Sequence, residues 1–169
     1  MLHPTPFNIS NPKVPATTAV IKLCHAFVTS RLDNMNAILY KLLDYQIKKL
    51  QKIQNNIARL ILRFNRSDYI THLLQELHWL PVPQRIVFKI LLLVHKSING
   101  NGPSYLTDLF HSLQQKRYHL RSTNQHLLME PRANKTYCDR ALSVCGPKLW
   151  KELPLCNREC GSIAAFKPS

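Results

Sequence analysis

The chain has 169 residues, 45% of them hydrophobic, so it is long enough to bury the core of one domain without disulfides or metal ions. Its 23 lysines and arginines against 9 acidic residues give a formal net charge of +14, which favours a polyanionic partner. Four glycines against 11 prolines argue against a glycine-turned β-sandwich and for helices separated by stiff corners. The composition therefore predicts a mainly α-helical fold.

The N-terminus lacks the basic and then apolar order of a secretory signal. The longest uninterrupted apolar run, residues 90–94, is far short of the ~20 residues that a membrane span needs. Five loosely spaced cysteines indicate free thiols rather than a disulfide framework. We therefore expect an intracellular protein, cytoplasmic or nuclear, without membrane contact.

Prolines at four positions of residues 1–17 prevent a helix of useful length, so we expect a disordered leader there and one helical domain over 18–167. From Thr18 to Arg31, apolar residues recur at steps of three and four, which predicts the first helix. Between Leu39 and Ile61 the same pattern is more regular and predicts a helix of about 20 residues. The polar face of this second helix carries one acid, Asp44, and the basic residues Lys41, Lys48, Lys49, Lys52, Arg59 and Arg63, with Arg66 just beyond.

Further along, Thr71 is predicted to cap a short helix that runs to Leu77. The prolines of residues 80–83 form a rigid corner, after which residues 84–98 are apolar around much of a helix, as in the centre of a bundle. Asn99-Gly100 provides a left-handed stop.

The remaining elements are shorter. A helix is predicted around residues 105–113 with Leu106, Leu109 and Phe110 facing inward, and a short β segment at 127–129. Pro147 fits the first position of a helix that carries Trp150. The predicted fold is a small multi-helix bundle of five to seven helices.

The chain offers little that fits a catalytic centre. None of its aspartates are adjacent, as the carboxylates of a two-metal polymerase site often are. Cys156 and Cys160 form the only close cysteine pair, and no histidine follows them to complete a zinc site. The sequence also lacks a Gly-x-Ser-x-Gly motif and a glycine-rich phosphate loop. We therefore expect no enzymatic activity, no metal and no cofactor.

Two basic regions are candidates for contact with nucleic acid. The first is the face described above, because each neutralised phosphate releases counterions and strengthens binding. The second mixes cations with Tyr and His side chains, a combination that clamps single strands; its basic residues are Lys116, Arg117, Arg121, Arg132 and Lys135. Neither region carries a base-reading code, so the predicted partner is RNA or DNA, bound through its backbone. A merely solvated surface is the alternative.

Many short segments of this sequence match those of one protein family, in an order and at a spacing that chance rarely gives. They include Ala26-Phe27-Val28-Thr29-Ser30-Arg31-Leu32-Asp33, residues 50–60, Leu77-His78-Trp79-Leu80-Pro81-Val82, residues 96–100, residues 103–106, Asp139-Arg140-Ala141 and Pro147-Lys148-Leu149-Trp150-Lys151-Glu152-Leu153-Pro154. Over about residues 18–167 the sequence thereby resembles the segment that follows the polymerase domain in reverse transcriptases of non-LTR (LINE-type) retrotransposons.

This resemblance implies a helical tail that, in the full enzyme, lies beyond the thumb and helps to hold template RNA and target DNA. The family's polymerase, an RNA-directed DNA polymerase with paired catalytic aspartates, and its endonuclease lie upstream of this segment. The resemblance thus implies a non-catalytic, nucleic-acid-binding fragment. Two alternatives stay open: a helical module whose exposed apolar surface binds another protein or a second copy of the chain, and a remnant without function.

Overall fold

The computed structural model describes residues 14–65, 68–110, 125–132 and 138–161, with side chains from residue 19 onward. Its α-helices are α1 (Val14–Cys24), α2 (Ser30–Asp33), α3 (Asp44–Leu62), α4 (Ile70–Glu76), α5 (Val82–Ile98), α6 (Ser104–Thr107), α7 (Leu142–Glu152) and α8 (Leu155–Arg158). The mainly α fold is confirmed. Within 125–132 the predicted β segment is reduced to one bridge residue, Leu128, and the described residues contain no strand.

Helices α1 and α2 are joined without a break by a π-helical segment, His25–Thr29. The helix begins at Val14, earlier than expected, because Pro15 falls in the first turn, where backbone N–H groups have no intrahelical acceptor. Residues 1–13 of the expected leader lie outside the described residues. No side chain of His25–Thr29 or of α2 is fully buried, so this part of the helix lies on the surface of the bundle.

Helix α3 has 19 residues, close to the expected length, and buries Gln54, Ala58 and Ile61. Its last residue is Leu62, and the C-cap residue Arg63 has a left-handed φ of 56°. The backbone N–H of Phe64 then donates to the Arg59 carbonyl over 3.1 Å, which satisfies one of the last carbonyls of the helix.

Two glutamine side chains join α3 to the start of α5. Gln54 Nε2 donates to the Leu80 carbonyl over 2.8 Å, and the Val82 backbone N–H donates to Gln51 Oε1 over 2.8 Å. Gln51 Nε2 also donates to Gln54 Oε1 over 3.0 Å, and this hydrogen bond fixes the orientation of both side chains. The first N–H group of α5, which has no partner inside its own helix, is satisfied in this way.

Helix α5 is the centre of the bundle, as predicted. Its buried residues Ile86, Ile90 and Val94 belong to one cluster with Leu149 and Trp150 of α7. A second cluster lies between α3, α4 and the corner before α5; its buried members are Ala58, Ile61, Leu74 and Trp79, and α1 covers it with Val20, Ile21 and Cys24. The helix α3 therefore contacts both clusters, because Ile47 and Leu50 pack on the first.

Two predictions for the shorter helices were wrong. Helix α4 begins at Ile70, its N-cap residue is Tyr69, and no side chain caps it, so Thr71 lies inside the first turn instead of before it. Leu109 is 43% exposed, whereas Phe110 is buried. After α6 the hydrogen bonds tighten from i+4 to i+3, as in Leu109 N–H to the Leu106 carbonyl, which turns Leu109 away from the core.

The prediction for Pro147 was also wrong, since α7 begins five residues earlier at Leu142 and Pro147 lies inside it. Proline at this position removes the hydrogen bond to the carbonyl four residues before it. Pro147 and Gly146 are both buried, and α7 packs on α5 at this point. A Cβ atom on Gly146 would lie 2.9 Å from Val94 Cγ2 and 2.8 Å from Phe110 Cε1.

We therefore predict that Gly146→Ala destabilises the domain. Alanine gains about 1 kcal/mol of helix propensity, but the overlap with the stiff Val94 side chain costs about 1–3 kcal/mol, so the net change is a loss. Urea unfolding followed by circular dichroism measures it. Gly161→Ala is the matched control, because no atom of the described residues lies within 4 Å of its added Cβ. Equal midpoints for the two variants would contradict the close packing of α7 on α5.

Candidate nucleic-acid interface

Three lysines, Lys48, Lys49 and Lys52, form what we call the α3 ridge. They are exposed and lie on the side of α3 opposite the buried Gln54 and Ala58, because an α-helix advances about 100° per residue. The helix turns Gln54 and Ala58 towards its neighbours, so the same packing that builds the core presents the lysines to solvent.

No carboxylate among the described residues pairs with the α3 ridge. The single acid of α3, Asp44, lies in its first turn, where a negative charge interacts favourably with the helix dipole. Lys48 and Lys52 are separated by about 6 Å along the helix axis, given a rise of ~1.5 Å per residue. One strand of a duplex presents a phosphate every ~3.4 Å along its axis, so the ridge matches about two successive phosphates.

Lys41 was predicted to share this face, but in the structure it forms an ion pair with Asp139. Its Nζ lies 3.1 Å from Asp139 Oδ2, and Lys148 Nζ lies 2.9 Å from Asp139 Oδ1. The hydrogen bonds from Lys148 and Lys41 hold the pKa of Asp139 below its ordinary value, and the carboxylate in turn raises the pKa of Lys148. Lys41 thus joins the start of α3 to α7 instead of extending the ridge.

Arg59 is also occupied within the protein. Its Nη2 donates to the Asp68 carbonyl over 3.4 Å, and its Nε is buried without a hydrogen-bond partner among the described residues. Arg63, at the left-handed end of α3, and Arg132 are exposed and make no ion pair with the described residues. The other predicted residues, Arg66, Lys116, Arg117, Arg121 and Lys135, lie outside the described residues.

Other cations serve the fold. Arg85 pairs with Asp33 over 2.9 Å and links α5 to α2, and Arg140 Nη2 donates to the Ile38 carbonyl over 3.1 Å. Arg158 Nη1 donates to the Gln125 carbonyl over 2.6 Å. Part of the positive charge of this chain is therefore engaged in internal hydrogen bonds and ion pairs. Within the described ranges, the three lysines of the α3 ridge make no ion pair, and they are three cations on one helix face.

Sequence reasoning missed one residue beside the ridge. Tyr45 is 54% exposed, and Lys49 Nζ lies 5.3 Å from the centre of its ring. The signal was present, because a spacing of four residues places two side chains next to each other on a helix.

A cleft of about 470 Å³ lies elsewhere, between the 3-10 turn Asn36–Leu39 and the start of α7. Ala37, Ile38 and Leu142 line it, together with Cys145. Burial raises the pKa of the Cys145 thiol, which keeps it protonated and unsuited to nucleophilic attack. Among the described residues, no group of three His, Cys, Asp or Glu side chains is placed to hold a metal ion.

Comparison with known proteins gives no relative: the sequence matches no protein-family model, and neither a curated protein nor a solved structure matches significantly. Within the described part of the chain, no helix combines the length and the apolar character of a membrane span.

The Asp139 cluster leads to a prediction about pH. Because the folded-state pKa of Asp139 is lowered, its stabilisation is present above its unfolded pKa of about 4 and is lost as the pH falls through the folded value. Because the pKa of Lys148 is raised, its contribution is complete below about 10.4 and is lost as the pH rises through the folded value.

Asp139→Asn should therefore lower the urea midpoint at neutral pH, and its difference from the wild type should vanish at acidic pH, where the wild-type carboxyl is protonated too. The exposed Asp108 provides the control variant Asp108→Asn, which should leave the midpoint unchanged. A difference between Asp139→Asn and the wild type that stays constant into acid would contradict the ion pairs.

Proposed function

We propose that this chain is a non-catalytic nucleic-acid-binding domain that contacts the phosphates of RNA or DNA through the α3 ridge. The observation that carries this proposal is the unpaired state of Lys48, Lys49 and Lys52 with respect to the described carboxylates, on a chain whose formal net charge is +14. Lysine presents a compact charge on a flexible stem, which suits contact with phosphates at varying positions.

The expected binding is independent of base sequence. Lysines on an exposed helix face contact phosphates, which are the same for every base. Sequence recognition needs side chains placed against base edges. The resemblance to the tail of a non-LTR reverse transcriptase supports the same function, because the tail in that family helps to hold RNA and DNA. On this proposal the chain is a fragment of such an enzyme, and the catalytic carboxylates belong to a part of the polymerase that precedes it.

Replacing Lys48, Lys49 and Lys52 together by Glu tests this proposal. We expect the variant to fold normally, because the three side chains are exposed, and to bind a fluorescent DNA duplex more weakly. Each lost phosphate contact should reduce the slope of log K against log salt by about 0.9, so the slope should fall by roughly 2 to 3. Fluorescence anisotropy at several salt concentrations measures it.

The matched control replaces three exposed cations on other helices, Lys22, Arg31 and Lys89, by Glu, which changes the net charge equally. If both triple variants lose the same affinity, binding depends on the net charge of the protein and not on the position of the α3 ridge. Binding by the wild type that ignores added salt would overturn the proposal as a whole.

A second candidate function is protein interaction, and one observation favours it. Leu23 and Phe27 are both exposed, Phe27 to 70%. Their spacing of four residues places them next to each other on the surface of the same helix. Exposed large apolar residues in a group are typical of interaction surfaces, whereas single ones are ordinary. In this alternative a second copy of the chain covers the pair.

Self-association of this kind should grow stronger with added salt, because salt screens the repulsion between two strongly basic copies. That is the reverse of the salt dependence of nucleic-acid binding. Sedimentation velocity measures it, and Phe27→Ser should abolish it while Leu155→Ser, at another exposed position, should not. A chain that stays monomeric at high salt and high concentration excludes this alternative.

A further inference from the structure

Tyr45 lies in the first turn of α3, on the side of the helix that carries the α3 ridge. With respect to Tyr45, the directions of Lys49 and Lys52 differ by about 40° and 20°, given 100° per residue. More than half of the tyrosine is exposed. An aromatic ring and three cations therefore share one face of one helix.

The contact with Lys49 leaves this ring available. The ammonium group lies 5.3 Å from the ring centre, a cation–π contact that occupies one ring face. The Tyr45 hydroxyl accepts a hydrogen bond from Gln46 Nε2 over 3.1 Å, at an exposed position on the same turn. Both of these partners belong to α3 itself, so within the part of the chain that the structure describes a planar group can approach the exposed ring from solvent.

The ring and the three lysines lie within reach of one short stretch of nucleic acid. Tyr45 and Lys52 are seven residues apart, which is about 10 Å along the helix axis at a rise of ~1.5 Å per residue. A base in a duplex is stacked between its neighbours and cannot present its face to a side chain, whereas an unpaired base can. Stacking on an aromatic ring together with charge on the backbone is the combination by which proteins hold single strands without sequence preference.

We propose that the α3 ridge is a single-strand site, in which an unpaired base stacks on Tyr45 while Lys48, Lys49 and Lys52 contact the adjoining phosphates. This inference rests on the proposed function and adds the form of nucleic acid. The site prefers single-stranded over duplex nucleic acid and tolerates any base, because every base has a face that can stack.

The test separates the base from the phosphates. Fluorescence anisotropy is measured with a labelled oligodeoxyadenylate and with an abasic chain of the same length, which keeps the phosphates and lacks the bases. The wild type should bind the base-bearing chain more tightly. Tyr45→Leu should lower that affinity by roughly fivefold or more and leave the affinity for the abasic chain unchanged.

Two further variants control for the substitution itself. Tyr45→Phe keeps the ring and loses the hydroxyl, so it should bind like the wild type. Tyr105→Leu removes a tyrosine of similar exposure on α6 and should change neither affinity. Circular dichroism confirms that each variant is folded.

A direct signature of stacking comes from Tyr45→Trp. The two native tryptophans, Trp79 and Trp150, are buried, so the new indole is the exposed one. Oligodeoxyadenylate should quench its fluorescence, and the abasic chain should not. Equal quenching by both chains would overturn stacking.

The outcomes for this site and for the proposed function differ. If Tyr45→Leu weakens both chains equally, or neither, the stacking site is wrong, while a strong effect of the Lys48, Lys49 and Lys52 substitutions would still support phosphate binding. If the wild type binds neither chain nor duplex at low salt, the proposed function fails and the single-strand site fails with it.

Discussion

The paired amides of Gln51 and Gln54 fix the position on which the rest of this structure depends. Gln54 is 2% exposed, and a buried amide is costly unless its hydrogen bonds are satisfied. The Gln54 amide donates to the Leu80 carbonyl and accepts from Gln51, whose own oxygen accepts from the Val82 N–H. Leu80 and Val82 belong to the corner that starts the central helix. Sliding or rotating α3 would break both contacts, whereas a purely apolar seam would tolerate small slips. With the inner side of α3 set in this way, its lysine side has to face solvent.

The positive charge of the chain is divided between two uses. One group of cations, represented by Arg85, Arg140 and Arg158, bonds to carboxylates or carbonyls from distant parts of the chain and holds segments together. Asp139 collects two more, Lys41 and Lys148, on one carboxylate. The lysines of α3 have no such partner among the described residues. A strongly basic composition is therefore a poor guide to where an anion binds, because it counts both groups alike.

The sequence was sufficient to predict helices, which follow from the spacing of apolar residues. It was insufficient to predict which side chains are held by partners far away in the chain. The steps of three and four residues predicted α5 and the C-terminal end of α3 closely, because amphipathic spacing is a local property. They placed the start of α3 five residues too early, at Leu39 instead of Asp44. Lys41 was placed on the basic face by the same reasoning, but its partner Asp139 lies 98 residues away in sequence. Arg59 is held by the backbone of a loop that follows its own helix, which spacing does not reveal. Pro147 was predicted to start a helix because proline is common at the first helical position. The apolar residues before it, which belong to the same helix, were given too little weight.

The π-helical segment His25–Thr29 has a consequence for how the first helix meets the bundle. A π turn holds one residue more than an α turn would, so the residues after it are rotated by roughly 100° compared with an unbroken α-helix. In this chain the rotation serves two contacts at once: Cys24, before the segment, packs on the second cluster, and Asp33, after it, reaches Arg85. The extra residue changes the direction in which the side chains after it point. It lets one continuous helix satisfy two surfaces whose spacing an α-helical repeat does not fit.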